Sequence, residues 1–164
     1  MCNYSKILRC DIANRNADLE LLYGSLGCDI RCKGCFNSAI WEPTTGKPFT
    51  DEVIQKIINA SKPHYCFGLS ILGGEPTSKW NIDDVIKLCK LFKETYPEKD
   101  IYMWSGRTIE EIRKLNHGPL LLQNIDCLID GRFIEALSDM SLKWKGSSNQ
   151  MTWKKVDGVW KKEN

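Results

Sequence analysis

Three cysteines within eight residues are the first chemistry the sequence offers. In Gly27-Cys28-Asp29-Ile30-Arg31-Cys32-Lys33-Gly34-Cys35-Phe36-Asn37 the spacing is Cys-x3-Cys-x2-Cys. A structural zinc site takes four ligands, commonly two Cys-x2-Cys pairs or a Cys pair with a His pair. Here there is no second Cys-x2-Cys pair, and the two histidines, His64 and His117, lie far apart in sequence. Three thiolates on one short loop suit a cubane iron–sulfur cluster that leaves one iron without a protein ligand. An open coordination position is where a metal site does chemistry. Gly27 and Gly34 let the backbone turn tightly around such a group. The rival readings are a zinc-binding interaction module without catalysis, or packed free thiols. The other five cysteines read as packing. Cys66 and Cys127 fall in strand-like runs, Cys89 falls on the apolar stripe of a helix, and Cys2 and Cys10 sit near the N-terminus. A reduced cysteine behaves as a small hydrophobe.

The elements that must position the loop are legible as short apolar runs alternating with helical patterns. Leu19–Ser25 reads as a strand leading into the cysteine loop. Thr50 reads as an N-cap, with Ile54, Ile57 and Ile58 forming the stripe of a helix that runs to Ala60. Residues 66–72 read as a buried strand ending at Gly73-Gly74, and residues 81–96 as a helix with Ile82, Val85, Ile86, Cys89 and Phe92 on one face, stopped by Pro97. A third strand over 100–104, a helix over 108–115 and a fourth strand over 125–129 follow. Four β-then-α units predict a parallel sheet. In such architectures chemistry sits at the carboxyl ends of the strands. Those ends carry the cysteine loop, Gly73-Gly74-Glu75-Pro76, Ser105-Gly106-Arg107 and Asp130-Gly131. The tail from about residue 132 departs from the pattern, with a hairpin expected at Asp157-Gly158. It is expected to cover an edge or dock a partner.

Length and charge bound the rest. The chain has 164 residues, read as a single domain over 1–164, well short of the ~250 of a complete (β/α)₈ barrel. Lys plus Arg is 23 against 21 Asp plus Glu, a formal charge of +2. That balance gives no electrostatic case for binding nucleic acid or an anionic membrane. The N-terminus shows no apolar signal region, and no apolar run approaches the ~18–20 residues of a membrane span. A cytoplasmic protein with reduced thiols is expected.

The spacing Cys28-x3-Cys32-x2-Cys35 resembles the signature of radical S-adenosylmethionine enzymes. Phe36-Asn37 and Trp41 sharpen the likeness toward the activating proteins of glycyl radical enzymes. Gly73-Gly74-Glu75-Pro76, Trp104-Ser105-Gly106, Asp130-Gly131-Arg132-Phe133 and above all Gly146-Ser147-Ser148-Asn149-Gln150 narrow it to those that activate the anaerobic ribonucleoside-triphosphate reductase. Two departures stand out: Gly34 occupies the place before the third cysteine where an aromatic residue is common, and residues 11–18 lack the usual Gly-Pro-rich segment.

The resemblance implies an open partial (β/α) barrel of four to five βα units with an irregular tail. It implies that Cys28, Cys32 and Cys35 hold a 4Fe–4S cluster whose unique iron takes the amino and carboxylate groups of S-adenosylmethionine. Gly73, Gly74 and Glu75 would receive the methionyl ammonium, Ser105 and Gly106 the ribose or carboxylate, Phe36 the adenine, with Asp130 as a polar contact in the same cleft. No further catalytic residue is expected. Reductive cleavage of S-adenosylmethionine would yield a radical that takes hydrogen from a glycine of the reductase's large subunit, with a low-potential donor such as a flavodoxin supplying the electron. An activase of another glycyl radical enzyme, or a small radical enzyme acting on a metabolite, is the alternative within the same chemistry. The lysines and tryptophans of residues 140–162 are candidates for a docking surface.

Overall fold

A computed structural model describes residues 2–11 and 19–163. Eight strands form one sheet: β1 (Asn3–Asp11), β2 (Leu19–Ser25), β3 (Lys47–Pro48), β4 (Cys66–Gly73), β5 (Asp100–Ser105), β6 (Cys127–Asp130), β7 (Met151–Val156) and β8 (Val159–Glu163). Among the described residues four α-helices accompany them, α1 (Asp51–Ala60), α2 (Ile82–Thr95), α3 (Ile109–Lys114) and α4 (Gly118–Gln123), with 3-10 turns at Ser38–Ile40 and Glu135–Leu137. The strand order is β3-β1-β2-β4-β5-β6-β7-β8. The four strands expected from the sequence, β2, β4, β5 and β6, pair in parallel at its centre.

The expected partial (β/α) barrel of four to five units is not what forms. The sheet is open and mixed, with β3 and β8 as free edges. Among the described residues helical crossovers number three, β2 to β4, β4 to β5 and β5 to β6. The βα repeat is ended on both sides by antiparallel pairing. On one side β1 pairs antiparallel with β2. On the other, the chain leaving β6 makes no helix that crosses over, and returns as β7, antiparallel to β6. Asp157 (φ +52°) and Gly158 (φ +76°) then turn it tightly into β8, the left-handed pair that a two-residue hairpin requires.

The helices form where the apolar spacing demands. Ile54, Ile57 and Ile58 of α1 and Ile82, Val85, Ile86, Cys89 and Phe92 of α2 are buried. In α3, Thr108 and Glu111 close a reciprocal capping box. All four helices contribute to one core with Leu69, Ile71, Ile101, Met103 and Leu128 from the strands. The alternate strand residues Tyr102, Cys127 and Ile129 face the other way and pack with Trp104 and Trp144. One face of the sheet thus carries the helices, and the tail covers part of the other. Trp144, at φ +64°, accepts a hydrogen bond on its carbonyl from Trp104 Nε1 at 2.8 Å. Cys2, Cys66, Cys89 and Cys127 are buried, as their packing role predicts. The side chain of Cys10 and the whole of residues 12–18 lie outside the described residues. No described helix is long and apolar enough to cross a membrane.

Candidate functional site

The cysteine loop leaves β2 and is held at both ends by backbone hydrogen bonds. Gly27 N and Cys28 N donate to the carbonyls of Ile40 and Trp41 at 3.0 and 2.9 Å, so the segment closes on itself. Arg31 (φ +52°) and Gly34 (φ +76°) turn the chain between the cysteines. Cys28 is buried, Cys32 and Cys35 half-buried, and all three thiols are free. Among the described residues no three His, Cys, Asp or Glu side chains are gathered at metal-holding distance. The fit to a cluster therefore rests on the donors: three soft thiols, without a fourth, on one tightly turned loop. Burial pushes the Cys28 thiol up, against hydrogen bonds from the backbone of Arg31 and Ile30, with Glu75 and Asp29 adding to the rise. A thiolate-binding metal centre reverses that penalty.

One buried carboxylate joins the ends of β4 and β5, and the backbone of the same residue joins them to the loop. Glu75 is 1% exposed. Its Oε1 accepts from Thr77 N at 3.0 Å, Thr77 Oγ at 2.6 Å and Ser105 Oγ at 2.7 Å, and its Oε2 from Gly106 N at 2.8 Å. Its own backbone N–H donates to Gly27 O at 2.8 Å. Asn81 Nδ2 donates to Glu75 O and to Gly27 O at 2.9 and 3.3 Å. Arg107 closes the other side, donating to Asp29 Oδ2 at 2.6 Å and Thr77 Oγ at 3.0 Å. Burial pulls against the guanidinium's charge, and Asp29, Glu75 and Glu111 more than offset it. A Cβ on Gly74 would stand 2.4 Å from Gly27 O, and one on Gly106 2.7 Å from Ile30 Cδ1. Both glycines are there because the cysteine loop lies directly on them.

The structure thus brings Cys28, Cys32, Cys35, Gly73, Gly74, Glu75, Ser105 and Gly106 to one end of the parallel strands. Glu75 and Ser105 are inside it, with their side chains bonded to each other. Phe36, next to Cys35, is 91% exposed. Asp130 is buried, and its Oδ2 accepts from Ile109 N at 2.6 Å and Trp153 Nε1 at 3.0 Å. It ties α3 to β7. Thr77, Asn81, Asp29 and Arg107 were not singled out by sequence. Thr77 sits two residues from Glu75, a local spacing at which a hydroxyl can cap a carboxylate, whereas Arg107 and Asp29 are 78 residues apart and carry no local signal.

The tail also reaches the loop. A Cβ on Gly34 would meet Glu135 Cδ at 2.9 Å, so a tail side chain lies in the space next to the residue that replaces the usual aromatic. Residues 146–150 hold that part of the tail. Gln150 Oε1 accepts from Gly146 N and Ser147 N at 2.8 and 3.1 Å, and its Nε2 donates to Gly131 O at 2.8 Å. Asn149 Nδ2 donates to Arg132 O at 2.8 Å, and buried Ser147 accepts from Ile134 N at 3.2 Å. A separate cavity of about 350 Å³, lined by Arg113, Leu122, Lys155 and Trp160 among others, lies between the helices and the β7–β8 hairpin and contains none of these groups.

Comparisons with known proteins place the chain in a family. Residues 20–153 match the family described as a 4Fe-4S single cluster domain. The chain is 34% identical over 159 residues to the "Anaerobic ribonucleoside-triphosphate reductase-activating protein" of Enterobacteria phage T4, covering 97% of this chain and 98% of the relative. Proteins of the same name from Vibrio cholerae and Escherichia coli K12 are 36% and 35% identical over 151 residues, each covering 91% of this chain and 96% of the relative.

Proposed function

From the premise that the chain belongs to the family of anaerobic ribonucleoside-triphosphate reductase-activating proteins and carries a 4Fe-4S single cluster domain, we propose how its residues perform that activation. The protein is an activating enzyme with an iron–sulfur centre, and its partner is the anaerobic reductase. Cys28, Cys32 and Cys35 are the cluster ligands in this reading, and S-adenosylmethionine is the co-substrate. The cluster and S-adenosylmethionine, when bound, supply one-electron reductive cleavage of a sulfonium and with it the power to take hydrogen from a glycine Cα of the reductase.

The chain's own part is placement and exclusion. The backbone of Gly73 and Gly74, free of Cβ atoms, lets a ligand come close to the end of β4. Glu75 holds that backbone, Ser105 and Gly106 as one rigid floor under the cysteine loop, and its negative charge lies beneath the place assigned to the methionyl ammonium. Ser105 and Gly106 border the ribose or carboxylate. Phe36 is the exposed ring available to the adenine, and Asp130 braces the neighbouring strand end. A low-potential donor such as a flavodoxin delivers the electron. The chain works as one unit over 1–164 in a reducing, cytoplasmic setting, which the free thiols of Cys28, Cys32 and Cys35 support.

The observation that carries this reading is the union of three free thiols with the strand ends through Glu75. The test is anaerobic reconstitution with iron and sulfide, reduction with dithionite and addition of S-adenosylmethionine. A cluster EPR signal, 5′-deoxyadenosine and, with the reductase added, a glycyl radical doublet are expected, and Cys32→Ala should lose all three. A colourless protein with stoichiometric zinc would sink the reading.

A further inference from the structure

The run Gly146-Ser147-Ser148-Asn149-Gln150 is the most distinctive motif of the sequence, yet it contributes no group to the cysteine loop or the floor around Glu75. What it does is structural. Its hydrogen bonds to Gly131, Arg132 and Ile134 are joined by Ser148 N donating to Leu137 O at 2.9 Å and by a bridge between Ser138 and Ser147. A Cβ on Gly146 would lie 3.2 Å from the ring of Phe133. The motif therefore fixes residues 131–138 as a compact loop whose regular structure is a single 3-10 turn over Glu135–Leu137.

That loop has an unusual surface. Ile134 and Leu137 are each 42% exposed and Met140, just beyond, is 97% exposed. Between Ile134 and Leu137, Glu135 rests against Gly34 of the cysteine loop, and two residues beyond Gly34 stands Phe36. Four of the large apolar side chains that the protein leaves in solvent thus sit on two segments that touch each other beside the cysteines. Large apolar side chains gathered in solvent, rather than scattered singly, mark an interaction surface.

We propose that residues 134–140, held in place by the 146–150 motif, are the surface that receives the glycine-bearing segment of the reductase. This rests on the function proposed above. The occupant is assigned by continuity with the site: a backbone glycine can reach the cysteine loop only if the segment carrying it passes the adjoining rim, and that rim is apolar. The matching segment is an extended stretch with apolar side chains flanking the glycine. Charges along the loop are mixed, with Glu135 and Asp139 near Lys143 and Lys145, so apolar contact dominates the fit and the association depends only weakly on salt.

The test uses Leu137→Asp with Met140→Asp, and Met140→Asp alone as the variant least able to disturb folding, in reconstituted protein with the purified reductase. Three readouts are taken: association with the reductase, the glycyl radical doublet, and 5′-deoxyadenosine formed without the reductase. Affinity is expected to fall by about tenfold or more in the double variant, as for apolar anchors at interfaces, with the radical yield, while cleavage without the reductase stays at the wild-type level. Wild-type affinity and radical yield in both variants would overturn the docking surface and leave the function intact. Loss of partner-free cleavage would also overturn it, by showing that the loop serves the site. Failure of the wild-type protein to cleave S-adenosylmethionine would instead sink the function on which the inference rests.

Discussion

Both carboxylate oxygens of Glu75 are engaged by donors from its own chain. A glutamate that the motif marks for an ammonium therefore also ties two strand ends together, while its backbone N–H bonds the cysteine loop at Gly27. Its type and place were visible in Gly73-Gly74-Glu75-Pro76; its partners Ser105 and Gly106, 30 and 31 residues away, were not. Asp130 shows the same contrast. An Asp-Gly turn announced it, but Trp153 and Ile109 as its donors did not follow from any local spacing. Burial raises the Asp130 pKa, against hydrogen bonds from Ile109, Trp153 and Met151. Its folded-state proton affinity thus exceeds that of the unfolded chain. The resulting stability is complete below the ordinary aspartate value of about 4 and is lost as pH rises through the raised folded value. Asp130→Asn lacks that loss. Its Tm relative to wild type is expected to improve as pH rises above about 4 and to level off once the raised folded value is passed, measured by thermal melts; an offset that does not change with pH would contradict this.

At the scale of elements, local pattern was a good guide wherever an apolar face repeats. α1, α2 and α3 begin and end within about two residues of the stretches their spacing predicted. β1, β3 and α4 were not anticipated. β1 and β3 gain their pairing from distant segments, and the six-residue α4 starts at Gly118-Pro119 with a buried Leu121-Leu122 pair too short to show a period. The element that matters most is the cysteine loop, and its seat is a contact between backbones. Gly74→Ala would drive a methyl into Gly27 O. A cost of about 1–3 kcal/mol is expected in chemical denaturation, the usual penalty for overpacking, together with less iron bound per chain after reconstitution. An alanine variant with wild-type stability and iron content would show that the loop does not rest on β4 in solution.

For the whole molecule, the open sheet sets how the site is enclosed. With no barrel wall, the tail and the partner are left to flank the cysteine loop, and the tail's share passes through Glu135 and Gly34. Gly34→Ala and Glu135→Ala are expected to be non-additive in stability, with a coupling of about 0.5–3 kcal/mol, because the first crowds a side chain that the second removes. Strict additivity in a double-mutant cycle would mean that tail and loop do not meet. The sequence by itself determined the donor set, the four parallel strands and the ends at which chemistry collects. Ligand spacing, capping and apolar periodicity act over three or four residues and can be read along the chain. Only the tertiary structure decided that the βα repeat stops after three crossovers, that Glu75 faces inward, and that the 146–150 motif braces a loop rather than entering the site. Those outcomes depend on which strand takes the free edge and which distant donor reaches a buried acceptor, and both are settled by long-range packing.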